Sequence, residues 1–172
     1  MGSTRFPGKI MMKLDDKFTV LDYVIRQLGH SKLLENIIIA TTNLEQDDII
    51  VQYAKDNDLA YFRGEVLDVL DRYYQCAKKF SLDVIVRMTS DAPFLDPTIV
   101  DDVISKFQET GCDFASNNIT RTYPIGIDTE VFSMKALAKT WNEAELPSER
   151  EHVTPFMKKN KEIFKLYNLE NK

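Results

Sequence analysis

Cysteine and histidine are scarce in this chain. Among 172 residues there are only Cys76, Cys112, His30 and His152, and none of the four falls in a metal-ligand spacing. A reducing compartment is therefore the expected setting. No apolar run approaches the length of a membrane span, and no N-terminal apolar stretch resembles a signal peptide. A cytoplasmic protein with no membrane partner is expected. Positive charge is not in excess either: 22 Lys and Arg against 27 Asp and Glu leave a net charge of -5. That balance argues against nucleic acid as a partner, although a nucleotide needs only a local cluster of cations. Internal repeats, low-complexity tracts and Pro/Gly/Ser linkers are absent too, so residues 1–172 read as a single domain.

What is present is an alternation of short β-rich runs with amphipathic segments. Strands are expected at Asn36–Thr42, Leu59–Gly64, Asp83–Asp91, Cys112–Asn118 and Gly126–Ser133, the last more alternating and so antiparallel or near an edge. Helices are expected at about Thr19–Leu28, Gln46–Asn57, Val66–Phe80, Pro97–Thr110, Met134–Glu143 and Ser148–Lys159. Asp96 with Pro97 suits a helix start, and Gly111 suits a helix end. Continuous apolar strands separated by helices point to an α/β fold with a mostly parallel sheet covered on both faces. In such sheets ligands bind at the carboxyl ends of the strands.

Those ends carry Ala40-Thr41-Thr42, Arg63-Gly64 and Thr89-Ser90-Asp91. Hydroxyls and amides for a base and sugar, an Arg for phosphate and a carboxylate for Mg²⁺ suit a phosphorylated ligand. Singly, each has a plainer role: Asp91 as a turn cap, Thr41 and Thr42 as helix caps, Arg63 as a surface residue. Their coincidence at one sheet edge is what favours a site. The opening segment MGSTRFPGK adds glycines, hydroxyls and two cations, Arg5 and Lys9, flanking Pro7-Gly8. Lys9 is followed by Ile10, so the Walker pattern of P-loop NTPases is not met.

These stretches resemble a known family. MGSTRFPGK is similar to the nucleotide-binding signature of nucleotide-sugar pyrophosphorylases and cytidylyltransferases. The series IIIATT, FRGEVLDVLDRYYQCAKKF, VIVRMTSDAPFLDP, RTYPIGIDTEVFS and LPSEREHVTPF follows in order. The chain resembles the spore-coat polysaccharide biosynthesis branch of the acylneuraminate cytidylyltransferase family. The resemblance implies a Rossmann-like three-layer α/β/α sandwich. It also implies a nucleotidyltransferase that joins CMP from CTP to a sugar acid or related acceptor and releases pyrophosphate, in surface polysaccharide synthesis. By matching motif, Gly2, Ser3, Arg5 and Lys9 would hold the triphosphate, with Arg5 and Lys9 catalytic. Ala40, Thr41, Arg63 and Arg72 would lie around the base, Asp91 would hold Mg²⁺, and Asp128 and Glu130 would face the acceptor.

The family pattern has an apolar strand before Met-Gly-Ser and, past the counterpart of Asn171, a Thr-Val-Asp segment with a second metal carboxylate. Neither is in this sequence, so a single nucleotidyltransferase domain incomplete at both ends is expected. Two other readings stand beside the leading one: a non-catalytic nucleotide-binding module, and a nucleotidyltransferase using another nucleoside triphosphate. The segment from Pro147 is expected to start a helix at a Ser148…Glu151 capping box and to break near Thr154, before Pro155. The resemblance makes it an arm of a homodimer, with Arg150 or His152 near the partner's acceptor pocket.

Overall fold

A computed structural model describes residues 8–171. Its elements are α1 (Val20–Leu28), β1 (Ile38–Thr42), α2 (Asp48–Asp56), β2 (Ala60–Gly64), α3 (Val69–Lys79), β3 (Val84–Arg87) and α4 (Pro97–Thr110). There follow β4 (Phe114–Ser116), β5 (Glu130–Ser133), α5 (Met134–Glu143), α6 (Pro147–His152), α7 (Pro155–Lys159) and β6 (Leu166–Asn168). The helix boundaries follow local chemistry. Thr19 and Asp22 form a reciprocal capping box on α1. Asp96 accepts from the Thr98 N–H and Pro97 occupies the first turn of α4, which Gly111 closes at φ 55°.

The expected α/β class is found, but among the described residues its strands form two sheets. β1 pairs in parallel with β2. The other sheet has the order β3-β5-β4-β6, in which β5 is antiparallel to β3 and β4, and β6 is parallel to β4. The antiparallel placement of β5 follows its alternating sequence. The short β6 had no comparable signal, since three residues carry no readable period.

Period-two alternation in the larger sheet produces the layers. Ile85, Phe114 and Phe132 point to one face, where Leu70 and Ala77 of α3, Ala136 and Leu137 of α5, and Val153 and Met157 cover them. Ala115 and Val131 point to the other, against Val24 and Leu28 of α1 and Val100, Val103, Ile104 and Phe107 of α4. The second strand residue is thus as apolar as the first, because both faces are covered.

One helix expectation is corrected. Helix α6 begins with Pro147 in its first turn, Leu146 is its N-cap, and no side chain caps it, so the Ser148 capping box does not form. Proline's fixed φ starts the helix one residue before the serine. The break near Thr154 is found: α6 stops at His152, and α7 starts at Pro155. Between them Val153 has φ 71° and ψ -55°, and the Thr154 N–H donates to the His152 carbonyl at 2.8 Å. This is a tight γ-turn, a strained state for a β-branched residue that costs about 1–3 kcal/mol. Complete burial of the Val153 side chain offsets part of that strain.

Candidate nucleotide and acceptor site

The carboxyl end of β3 is where the chain gathers its charges. Gly8 takes φ 74°, a conformation glycine adopts freely, and its carbonyl accepts from the Met11 N–H at 2.9 Å in a single 3₁₀ turn. That turn aims Lys9 at Asp91, four residues past the end of β3, and the two form an ion pair across 82 residues of sequence. Burial pushes the Asp91 carboxyl up, but the Lys9 ammonium and the Thr89 hydroxyl outweigh it, so Asp91 lies below its ordinary value. Gly2, Ser3 and Arg5 lie outside the described residues.

The ends of β1 and β2 are knitted together. Buried Asp47 accepts from the Thr41 hydroxyl at 3.0 Å and from the Thr42 N–H at 3.2 Å. Arg63 donates to the Thr42 carbonyl at 2.9 Å, to the Leu44 carbonyl at 2.8 Å and to Asp48 at 2.6 Å. Thr41 and Arg63 thus shape the loop after β1. Ala40 pairs with Phe62 across the same ladder. Arg72, on α3, lies over Gly64: a Cβ there would stand 3.0 Å from the Arg72 Cγ and 2.8 Å from the Phe62 ring. One guanidinium nitrogen donates to the Glu65 carbonyl at 2.6 Å, and burial pushes the group down from its ordinary value. Gly64→Ala should therefore displace Arg72 and Phe62 and cost about 1–3 kcal/mol, read as a lowered urea midpoint.

A second cluster lies beside the first. Arg87 and Ser116, the last residues of β3 and β4, both lie opposite Glu130, the first of β5. Glu130 is only 4% exposed. It accepts from Arg87 at 2.7 Å, from the Lys158 ammonium at 2.6 Å and from the Thr154 hydroxyl at 3.0 Å. Burial pushes its carboxyl up, yet Arg87 and Lys158 prevail and hold it below its ordinary value. Glu130 is thus an internal anchor, whereas Asp128 is partly exposed and held by both guanidinium NH₂ groups of Arg121 at 2.7 and 2.8 Å. The hydrogen bonds from Arg121 keep Asp128 low as well.

Sequence reasoning did not single out Arg87, Asn117, Asn118, Thr154 or Lys158. The Asn117-Asn118 pair follows the end of β4 and was accessible by that rule; Arg87 lay inside the longer strand expected at Asp83–Asp91, and Thr154 and Lys158 arrive by long-range packing. Asn117 is fully buried, donates to the Ile127 carbonyl at 2.9 Å and accepts from the Thr129 N–H at 2.9 Å. It thereby ties the two ends of the 118–128 loop. Asn117→Ala should remove the side-chain partner of the part-buried Ile127 carbonyl and of the buried Thr129 N–H and lower stability by about 1–3 kcal/mol in thermal unfolding.

Arg150, on α6, ties that helix to α3 and α5. Its guanidinium donates to Asp68 at 2.9 Å and to the Trp141 carbonyl at 2.8 Å within its own chain, and Glu149, Val153 and Met157 are buried. The segment packs on the α3–α5 face of its own chain.

Comparison with known proteins decides the family. The cytidylyltransferase family model matches residues 1–172. The chain belongs to the cytidylyltransferase family. It is accordingly a CTP-dependent nucleotidyltransferase. An uncharacterized protein of Methanocaldococcus jannaschii is 37% identical over 98% of this chain and 68% of its own length. The spore coat polysaccharide biosynthesis protein SpsF of Bacillus subtilis is 31% identical over 99% of the chain and 71% of its own. A cytidylyltransferase structure from Leptospira borgpetersenii superposes with a TM-score of 0.94 at 37% identity, covering 100% of this chain and 73% of that one. A CMP:2-keto-3-deoxy-manno-octonic acid synthetase structure shares the fold at a TM-score of 0.71 and 14% identity, over 99% and 86% of the two chains. No helix among the described residues of this cytidylyltransferase is long and apolar enough to cross a membrane.

Proposed function

We propose that this chain transfers CMP from CTP to a sugar acid or related acceptor in surface polysaccharide or glycan biosynthesis. The observation that carries the reading is the meeting of Lys9 with Asp91 at the end of β3. A cation suited to phosphate and a carboxylate stand in contact, and the strand beside β3 starts a second charge cluster at Glu130. The relation to a spore coat polysaccharide biosynthesis protein supports the pathway class.

In the reaction, an acceptor oxygen attacks the α-phosphorus, the bond to the bridging oxygen breaks, and pyrophosphate leaves with the electron pair. Little covalent work falls to the protein, so positioning and charge neutralisation dominate. Gly2, Ser3, Arg5 and Lys9 hold the triphosphate, and Arg5 and Lys9 neutralise charge on the departing pyrophosphate. Ala40, Thr41, Arg63 and Arg72 border the base. Asp128 faces the acceptor, with Glu130 positioning its neighbours. Among the described residues there is no group of three His, Cys, Asp or Glu that would hold a metal. Asp91 alone fits an ion that arrives with the triphosphate and takes its other ligands from phosphate oxygens and water. Bound so, Mg²⁺ would supply further charge neutralisation at the phosphates.

Pyrophosphate release from CTP across a panel of sugar acids tests the reading. Turnover with at least one acid is expected, faster than with UTP or GTP. CTP binding in calorimetry with no turnover would replace it by a non-catalytic nucleotide-binding module. A homodimer belongs to the same reading, and Leu67, Phe94 and Ile125, each more than 80% exposed, are apolar side chains a partner could cover. Light scattering at micromolar concentration should return twice the chain mass.

A further inference from the structure

The charge cluster around Glu130 has more cations than its own carboxylates match. Among the described residues, Arg87 and Lys158 both pair with Glu130 and Arg121 pairs with Asp128, three cations to two carboxylates. Lys158 stands at the junction of the two pairs. Its ammonium donates to Glu130 at 2.6 Å and to the Asn118 side-chain oxygen at 2.7 Å. Asn118 in turn hydrogen-bonds Asp128. Below the ammonium lies the Phe114 ring, its centroid 5.6 Å away. An ammonium has three N–H donors, and these two bonds leave the third. The side chain keeps 27% of its surface exposed, against 5% for Glu130. So Glu130 and Asn118 fix the cation from inside and the ring supports it, while part of it meets solvent beside Asp128.

A cation that served only to neutralise Glu130 would not be needed, because Arg87 already pairs with the other carboxylate oxygen. A partly buried surplus charge is costly unless an anion completes it. We infer that Lys158 is a specificity-determining residue that receives the carboxylate of an acidic acceptor. This rests on the transferase reading above. The strained turn at Val153 fits this role: it ends α6 so that Thr154 reaches Glu130 and α7 starts in the direction that brings Lys158 onto the same carboxylate.

The test is a binding comparison that does not depend on turnover. Glucuronate, galacturonate and 3-deoxy-manno-octulosonate are titrated calorimetrically against their methyl esters, which keep the sugar and remove the charge. The titrations use the chain loaded with α,β-methylene CTP and, separately, the nucleotide-free chain. One acid should bind about 10- to 100-fold more tightly than its ester, as a charge-assisted hydrogen bond predicts. Lys158→Met should erase that difference while leaving the affinity for α,β-methylene CTP within about twofold, and Lys158→Arg should retain most of it. Absence of any acid preference in the wild-type chain, loaded and free, overturns the inference. So does a preference that survives Lys158→Met. If Lys158→Met does not fold, the wild-type comparison and Lys158→Arg still decide. Failure of the wild-type chain to bind α,β-methylene CTP counts against the transferase reading alone, since the nucleotide-free titrations judge Lys158 separately.

Discussion

Glu130→Ala is expected to destabilise the chain by about 3–5 kcal/mol, the largest effect of any single substitution at the site. The change removes the acceptor shared by Arg87, Lys158 and Thr154 and leaves a nearly enclosed guanidinium without its anion. Glu130→Gln should cost less, because the amide keeps an oxygen for one of the two cations. The pH dependence separates the variants further. The folded carboxyl lies below its ordinary value of 4.5. Its contribution to stability is therefore fully present above that value and is lost as pH falls through the lower folded value. Urea unfolding between neutral pH and pH 3 should show a steeper acid-side decline in wild type than in Glu130→Gln. Parallel curves for the two would show that Glu130 is not held low by its cations.

Lys9→Ala should produce the largest functional effect: a fall in turnover of about 100-fold with a loss of CTP affinity of less than about tenfold. The asymmetry follows from the proposed role of Lys9, neutralising charge that grows on the pyrophosphate as it leaves. Stability should barely change. Both partners of the Lys9–Asp91 pair are more than a third exposed, and such pairs contribute about 0–1 kcal/mol. Single-turnover kinetics with calorimetry of CTP binding would check both halves, and an unchanged turnover number would reduce Lys9 to a surface residue. The ion pair adds a further expectation: triphosphate must draw Lys9 away before Asp91 is free. Lys9→Ala should therefore raise the affinity of the nucleotide-free chain for Mn²⁺, measurable by electron paramagnetic resonance.

Local chemistry made much of the fold legible. The Asp96-Pro97 start and Gly111 end of α4 were readable because caps act within a few residues. The antiparallel tendency of β5 was visible in its alternation, and Asp91 was marked by its place after an apolar run. Where several local signals competed, the plainer one prevailed. Pro147 started α6 ahead of the Ser148…Glu151 box, and Arg63 turned to nearby carbonyls.

The sequence by itself determined the class of layers, the order of elements and the carboxyl strand ends at which we propose a phosphorylated ligand binds. These depend on periodicity and on neighbours close along the chain. Only the tertiary structure decided that the strands divide into two sheets, that the 147–159 segment packs on its own α3 and α5, and that Glu130 is enclosed while Asp128 is not. It alone brought Lys9 to Asp91 and Lys158 to Glu130, pairs separated by 82 and 28 residues. Charge pairing between distant positions leaves no local period, since either partner alone reads as an ordinary solvated side chain. Which cation meets which carboxylate is settled when the core closes.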